Sequence, residues 1–185
     1  MNEQETTLVE MVLAGNSDAF EPLVRPYRND LIRLAFRMTG DWEDANEASQ
    51  EALLRAYRYL ARFDTARSFK NWLLGILVNE ARKSFRKKPR SLSLAETAEP
   101  STPADQERRH EDGVLRDRLR ACLNELSRNQ REIFILRDLE DRNIRETARI
   151  LGASEVAVRV HLSRARKKIK DLMTRDAAPG KETTS

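Results

Sequence analysis

The sequence has almost none of the features of secreted, membrane or fibrous proteins. Only one of its 185 residues is a cysteine, Cys122, so the chain cannot form an internal disulfide, and a reducing compartment is expected. Its longest apolar run, Trp72 to Val78, has seven residues, against about 20 for a membrane-spanning helix. The first residues are acidic and polar, whereas a secretory signal begins with basic residues and continues with an apolar stretch. We therefore expect a cytoplasmic protein without membrane insertion.

Aromatic residues are also scarce, at 6% of the chain, while charged residues reach 35%. Hydrophobic residues make up 39%, which is enough for packed cores that are thin beneath large polar surfaces. A chain of 185 residues forms one medium domain or two small ones. Lys and Arg number 34 against 30 for Asp and Glu, and the resulting charge of +4 suggests a polyanionic partner without establishing one.

The apolar residues recur at spacings of three and four, and no segment alternates for long enough to predict a half-buried strand. The sequence therefore predicts an all-α protein. Ser127, followed three residues later by Gln130, has the pattern of a helix N-cap, and Gly40 and Gly152 are natural helix ends. Two early prolines, Pro22 and Pro26, predict a kink or a late helix start.

The composition changes sharply between residues 95 and 112. This segment holds six acids and two prolines and has no large apolar residue, which is typical of a linker. The sequence thus predicts two small helical modules at 1–90 and 114–175, joined by a flexible linker at 91–113, with a disordered tail at 176–185.

The segment from 41 to 51 contains five acids and no base. One interpretation is a divalent-metal site built from helical carboxylates, but such sites need histidines or a second acidic helix. A second is that negative side chains near a helix N-terminus interact favourably with the helix dipole. The third, docking to a basic protein surface, is the most economical functional interpretation.

A segment rich in aromatic and basic residues follows. Aromatic and basic residues alternate from 57 to 72, and six positive charges occur without an acid from 82 to 90. Aromatic rings interleaved with cations are typical of proteins that bind single-stranded nucleic acid. Core packing is the alternative for the rings, and we expect it for Trp72.

Near the C-terminus, residues 144–158 have the spacing of a helix-turn-helix. A short helix would end at Gly152, and Ser154 would cap a second helix, although a plain helical hairpin shows much of the same spacing. From Arg159 to Lys170 there are six basic residues and no acid, while Val158, Leu162 and Ala165 form a separate apolar stripe. A cationic helix face can neutralise DNA phosphates and reach base edges in the major groove.

Metal and catalytic chemistry have little support. The two histidines, His110 and His161, and the lone Cys122 do not form a cluster with ligand spacing. No nucleophile with a neighbouring base and no glycine-rich phosphate loop is visible. We expect no metal, no cofactor and no enzymatic activity of the chain alone.

These features together resemble the bacterial extracytoplasmic-function (ECF) sigma factors, over about residues 10–173. The segments that carry the resemblance are 41–45 (DWEDA), 50–57 (QEALLRAY), 69–76 (FKNWLLGI) with Asn79, 130–139 (QREIFILRDL) and 162–166 (LSRAR). The resemblance implies a dissociable subunit that directs RNA polymerase to promoters. It also implies contacts with the clamp helices and flap of core RNA polymerase, with duplex and melted promoter DNA, and with an anti-sigma factor.

The resemblance assigns site residues to three surfaces. The surface that binds core polymerase would comprise Asp41, Glu43, Asp44, Glu47, Gln50, Glu51 and Leu54. The surface that recognises and opens the minus-ten element would comprise Phe63, Arg67, Ser68, Lys70, Asn71, Asn79, Arg82, Lys83 and Arg86. The surface that reads the minus-thirty-five element would comprise Ser154, Glu155, Val156, Arg159, Val160, His161, Arg164, Arg166 and Lys167.

The match is not complete, and two rivals remain. Arg159-Val160-His161 differs from the usual basic-serine-basic run, so the promoter sequence of better-known members does not transfer. A two-module regulator that binds duplex DNA without polymerase would explain the C-terminal half but not the acidic helix. A helical metal hydrolase would require stoichiometric divalent metal.

Overall fold

The computed structural model describes residues 2–87 and 106–175; within them, the side chains of 84–87, 106–112 and 116 are not described. These two ranges are helical and contain no strand, which confirms the all-α prediction. The helices are α1 (Glu3–Leu13), α2 (Phe20–Val24), α3 (Arg28–Thr39), α4 (Trp42–Tyr59), α5 (Phe69–Lys87), α6 (Gln106–Glu125), α7 (Arg128–Phe134), α8 (Ile144–Leu151) and α9 (Glu155–Arg175).

The chain divides into two compact units. The first contains α1 to α5 together with residues 145–153, and the second contains α6, α7 and α9. Residues 106–113, for which the sequence predicts linker, begin α6. The absence of large apolar residues led to the prediction of a linker. The stretch is nevertheless rich in Glu and Arg, which are good helix formers, so it can be helical without such residues. Residues 88–105 and the predicted tail at 176–185 lie outside the described residues.

The core of the first unit lies between α3, α4 and α5, which pack against one another. One face of α4 consists of alanines, and their small side chains let the neighbouring helices approach closely. These alanines are at most 2% exposed: Ala45, Ala48, Ala52 and Ala56. Opposite them, Leu34 of α3 and Leu73 and Leu77 of α5 are at most 1% exposed. Burial of each such leucine contributes about 1.5–3 kcal/mol to stability.

The early prolines interrupt the helix, as predicted. Short 3-10 turns at Ser17–Ala19 and Arg25–Tyr27 flank α2, which holds Pro22, and Pro26 lies in the second turn. Proline lacks a backbone N–H and clashes with the preceding helical turn, which explains these breaks. A continuous helix starts only at Arg28.

In the second unit, α9 packs against α6 and α7. The predicted N-cap is confirmed: Gln130 N–H donates to Ser127 Oγ (3.4 Å), and Ser127 N–H donates to Gln130 Oε1 (3.1 Å). The buried guanidinium of Arg131 donates to the Leu123 carbonyl (2.8 Å) and to Asn124 Oδ1 (3.0 Å), which fixes the corner between α6 and α7. The core of this unit is almost entirely aliphatic.

Candidate functional site

The outward face of α4 carries an acidic stripe with an apolar end. Because the alanine face is buried, residues at spacings of four, three and four on the other side point to solvent. Glu43, Glu47, Gln50 and Leu54 are all exposed, and Leu54 keeps 52% of its surface accessible. These four residues, which we call the α4 stripe, belong to the predicted polymerase-binding set. A helix face that carries two carboxylates and, at its end, an exposed leucine is suited to docking onto a basic protein surface.

The other three residues predicted for polymerase binding are less exposed than the α4 stripe. Asp41 is the N-cap of α4, where Oδ1 accepts the Asp44 N–H (2.8 Å). Asp44 itself is half-buried. Glu51 pairs with Arg55 one turn further along (3.2 Å). Part of the acidity of this segment therefore starts and stabilises the helix, as the helix-dipole interpretation predicts.

A buried carboxylate joins α4 to α5. The Glu80 side chain is 6% exposed, and its Oε1 lies 2.8 Å from Arg55 Nε while its Oε2 lies 2.7 Å from Lys83 Nζ. Lys83 is a predicted minus-ten residue, so Glu80 positions a DNA-binding candidate and ties it to the helix of the α4 stripe. Sequence reasoning missed Glu80. The available signal was an acid between Leu77 and Ala81, on the apolar side of α5.

We expect Glu80→Ala to lower the free energy of unfolding by about 1–3 kcal/mol, because Arg55 and Lys83 lose the carboxylate that binds them both. Their partial exposure keeps the loss below that of a fully buried pair. Glu51→Ala is the matched control: it removes the other, half-exposed partner of Arg55, and should cost about 0.5 kcal/mol. Denaturant unfolding measures both, and equal losses would contradict the special role of Glu80.

The loop between α4 and α5 is ordered by Asp64. Its Oδ1 accepts the Ala66 N–H (3.0 Å), and its Oδ2 lies 3.0 Å from Arg67 Nε. Arg67 and Ser68, both predicted minus-ten residues, are exposed on this loop. Ser68 Oγ also accepts the Asn71 N–H (3.3 Å) at the start of α5. The loop thus presents a cation and a hydroxyl in a defined conformation.

Phe63 is not placed as a base-stacking residue would be. It is 8% exposed, and its ring centroid lies 5.5 Å from that of Phe69 and 4.9 Å from that of Trp72. The three rings form a cluster that closes one end of the core, because an aromatic side chain gains more from burial than from exposure at a loop. The alternative of core packing therefore applies to Phe63 as well as to Trp72.

Lys70 of the predicted minus-ten set is bound within the protein. Its Nζ lies 2.7 Å from Asp30 Oδ2 on α3 and 5.8 Å from the centre of the Tyr27 ring. The pKa of the Asp30 carboxyl is lowered, first by the hydrogen bond from Lys70. Asn71 is half-buried, and its side-chain oxygen has no hydrogen-bond partner. In this conformation the Lys70 ammonium is paired with Asp30, and the Asn71 oxygen is buried and out of reach of a ligand.

The remaining minus-ten candidates follow one face of α5. Asn79 is exposed, and its Oδ1 accepts a hydrogen bond from Arg82 Nη1 (3.3 Å). The Lys83 side chain is 48% exposed. Arg86 lies one turn further along, but its side chain is outside the described residues. Asn79, Arg82 and Lys83, together with the Arg67 loop, form a polar and cationic surface on the first unit.

The turn between α8 and α9 has the predicted features. Gly152 adopts a left-handed backbone with φ of 62°, and the Ala153 N–H donates to the Ala148 carbonyl (2.9 Å). Ser154 Oγ accepts the Ala157 N–H (3.1 Å) and caps α9. The end of α8 and the start of α9 therefore have the local geometry of a helix-turn-helix.

The cations of α9 fall into two groups. Arg166 forms a bidentate pair with Asp138, at 2.8 Å and 2.5 Å, which raises the pKa of the guanidinium. Arg159 pairs with Glu155 one turn earlier (3.0 Å) and remains exposed. Arg164 and Lys167 are also exposed. Arg166 thus links α9 to the segment that follows α7, whereas Arg159, Arg164 and Lys167 are exposed candidates for DNA contact.

His161, one of the residues that the resemblance assigns to the minus-thirty-five surface, is only half-exposed. Its Nδ1 is buried and has no hydrogen-bond partner. His161 is partly buried because it borders the buried stripe of α9 that includes Leu162 and Ala165. In this conformation only its outer edge can reach a ligand.

We expect Arg164→Gln to weaken binding to an upstream promoter duplex by about 1–3 kcal/mol if the side chain reads a base, or to reduce the salt dependence by about one phosphate contact. Arg166→Gln is the matched control, because it removes the same charge from a side chain already bound by Asp138. Its main effect should be a loss of about 0.5–1 kcal/mol in stability. Titrations at several salt concentrations would contradict this division if the two variants lost affinity equally.

In the part of the chain that the structure describes, no group of three or more His, Cys, Asp or Glu residues could hold a metal ion. Over the same residues, the helices are too short or too polar to cross a membrane.

Comparisons with known proteins identify the family of this chain. The family model described as Sigma-70 region 2 matches residues 23–91, and the model described as Sigma-70, region 4 matches residues 116–169. The RNA polymerase sigma-H factor of Pseudomonas aeruginosa is 31% identical, over 90% of this chain and 92% of that protein. The probable RNA polymerase sigma factor RfaY of Xanthomonas campestris is 34% identical over 90% of this chain, which spans 45% of that protein.

The sigma factor RpoE of Bartonella quintana, solved with the anti-sigma factor NepR, shares the fold. Its TM-score is 0.66 at 23% identity, over 84% of this chain and 96% of that one. Several further relatives are named ECF RNA polymerase sigma factors. The two family matches, the sigma-H likeness and the 30% identity to the ECF RNA polymerase sigma factor SigM of Mycobacterium tuberculosis, over 91% of this chain and 84% of that protein, show that the chain belongs to the sigma-70 superfamily of RNA polymerase sigma factors, in the ECF group.

Proposed function

We propose that this chain binds core RNA polymerase and directs it to promoters, with a different surface for each partner. The observation that carries the proposal is the segregation of charge on the exposed helix faces. The α4 stripe presents Glu43 and Glu47 with Leu54, whereas α5 presents Arg82 and Lys83 and α9 presents several cations. A protein that bound only DNA would have no use for an acidic and apolar helix face.

The polymerase-binding role belongs to the α4 stripe. Glu43 and Glu47 would meet basic side chains of the clamp helices, and Leu54 would be buried at the contact. Opposite charges speed the encounter of two proteins and reject wrong partners, and burial of an apolar side chain such as Leu54 adds to the affinity. Asp41, Asp44 and Glu51 would support the helix from within.

The minus-ten role belongs to the loop at 63–68 and the outer face of α5. Arg67, Arg82 and Lys83 would neutralise phosphates of the melted strand, and Asn79 has the donor and acceptor groups needed to bind a base edge. Phe63 would support the loop as part of the core. An exposed loop fixed by Asp64 is suited to bind a base that has left the duplex, because little ordering is required on binding.

The minus-thirty-five role belongs to α9. Its exposed cations Arg159, Arg164 and Lys167 would contact phosphates and base edges of the upstream duplex. Contacts of the same module with the polymerase flap would hold it at the correct distance from the minus-ten surface. We place the two modules at about 1–90 and 114–175, with the intervening chain leading toward the polymerase channels.

Regulation by an anti-sigma factor is part of the proposal, since the α4 stripe and the cationic helices offer surfaces that such a partner can cover. The chain would act in the cytoplasm, where the polymerase is. Bond formation in RNA would be carried out by the core enzyme, so the chain itself would supply binding and positioning but no catalytic group.

Run-off transcription tests this function. Core polymerase without any sigma factor would be combined with the purified full-length chain and a set of genomic fragments. We expect new, defined start sites that disappear when the chain is omitted. A two-module DNA-binding regulator would bind some of the same fragments but would not co-purify with core polymerase or create start sites. The proposal would be rejected if the chain did not co-purify with core polymerase, or if it created no start sites.

A further inference from the structure

The outward face of α9 carries two exposed valines in the first two turns of the helix. Val156 keeps 67% of its surface accessible and Val160 keeps 42%, although both lie on a helix that is otherwise polar on this side. With about 3.6 residues per turn, the two side chains are neighbours, and they lie opposite Val158 and Ala165, which are completely buried. They therefore occupy the ridge of the helix that extends furthest from the core.

Exposed cations lie on both sides of the two valines. Arg159 lies on one side of the ridge and Arg164 on the other, and both face solvent. When such a helix enters a major groove, cations at its edges reach the phosphates of the two strands, and the residues on its ridge reach the base pairs. With the arginines at the phosphates on either side, the valines would lie against the base pairs at the floor of the groove.

A valine side chain has no hydrogen-bonding group, so it can complement only an apolar group on a base edge. The major groove offers one such group, the C5 methyl of thymine. Valine in a helix also has essentially one rotamer, so little side-chain entropy is lost when it is fixed against a base.

We propose that Val156 and Val160 form an apolar pair that recognises thymine methyl groups in the minus-thirty-five element. The inference rests on the proposed function, because it requires that α9 reads the upstream duplex. The inference goes beyond the proposed function because it names the chemical group that is recognised and two residues that determine specificity. It also gives the apolar Val160 a function at the position where the sequence departs from the usual basic-serine-basic run.

Single replacement of thymine by deoxyuridine is the direct test, because it removes one methyl group and leaves base pairing unchanged. Holoenzyme made from the full-length chain and core polymerase would be titrated with a promoter duplex obtained by selection from genomic fragments. Each thymine of the upstream element would be replaced in turn. We expect a loss of about threefold to tenfold in affinity at one or two positions, the loss typical of one buried methyl.

Val156→Ala and Val160→Ala complete the test. On the natural duplex each variant should lose affinity by a similar factor, and it should show no further loss at the deoxyuridine position that its own valine recognises. Alanine favours a helix, so folding is preserved. Val114→Ala is the matched control: Val114 is 54% exposed on α6, and its loss should leave the response to deoxyuridine unchanged.

The possible failures are distinguishable. If deoxyuridine has no effect at any position, or if the selected element contains no thymine, the valines do not recognise methyl groups. If base-pair exchanges in the same element still lower affinity, the proposed role of α9 stands while this inference fails. If the valine variants lose core polymerase binding but respond normally to deoxyuridine, the pair contacts protein, and the inference is rejected. If neither deoxyuridine nor base-pair exchange matters, the minus-thirty-five role itself is wrong.

Discussion

A chain that carries Glu43→Lys and Glu47→Lys together is expected to lose at least about 100-fold in affinity for core polymerase, equivalent to about 3 kcal/mol. Both carboxylates lie on the exposed α4 stripe, one turn apart. Replacing them turns two attractions into two repulsions against a basic surface, and like charges across an interface cost several kcal/mol. Surface-immobilised core polymerase and the purified chain give the affinity directly.

The control is the double variant Glu3→Lys with Glu10→Lys on α1. Glu3 and Glu10 are also exposed, and Glu3, like Glu43, lies in the first turn of its helix. The two variants therefore share the change in net charge and the small loss of a favourable helix dipole, about 0.3–1 kcal/mol. We expect the control to bind polymerase normally. If both doubles lose affinity alike, the effect is one of net charge and not of the α4 stripe. Unchanged affinity of Glu43→Lys with Glu47→Lys would reject the stripe as the polymerase contact.

Much of this fold could be predicted from the sequence because helix periodicity is a local property. The spacing of Ala45, Ala48 and Ala52 already separates the inner face of α4 from the outer one, and Gly152 marks the end of α8. The position of Ser127 likewise reveals the cap of α7. Each of these features depends on residues within one or two turns of each other, and the sequence contains all of that information.

The pairing of charged residues between helices could not be predicted in the same way. Arg166 and Lys167 are equally basic and adjacent, yet only the geometry of the second unit brings Asp138 to Arg166. Glu80 is likewise one acid among many until α4 brings Arg55 to it. A sequence shows which charges a helix carries, but a neighbouring element decides which of them remain free for a partner.

The role of Phe63 was missed for a related reason. A phenylalanine in a short loop beside cations is the pattern expected of a residue that stacks on a base. The same residue can reach back to the core, and the sequence does not show that the loop brings Phe63 against Phe69 and Trp72 of α5. In the proposed function, its burial leaves base binding to exposed polar residues of the loop and of α5.

Phe63→Ala should therefore lower the free energy of unfolding by about 3 kcal/mol or more, the range for loss of a buried aromatic ring. The ring packs against Phe69 and Trp72, so its removal leaves a gap beside them. Thermal and denaturant unfolding of the full-length chain measure the loss. A drop below about 1 kcal/mol would place Phe63 outside the core.

Phe63→Leu separates packing from base stacking. Leucine retains most of the apolar volume, so stability should fall by only about 1–1.5 kcal/mol, but it cannot stack on a base. If Phe63 acts through the core, this variant should still open a duplex promoter in run-off transcription at a rate close to that of the wild type. A base-stacking Phe63 would produce the opposite result: open-complex formation would fall sharply while stability changed little, and a template already melted at the minus-ten element would restore transcription only in part. The comparison decides the role because the two variants share the loss of the ring and differ in the volume that remains.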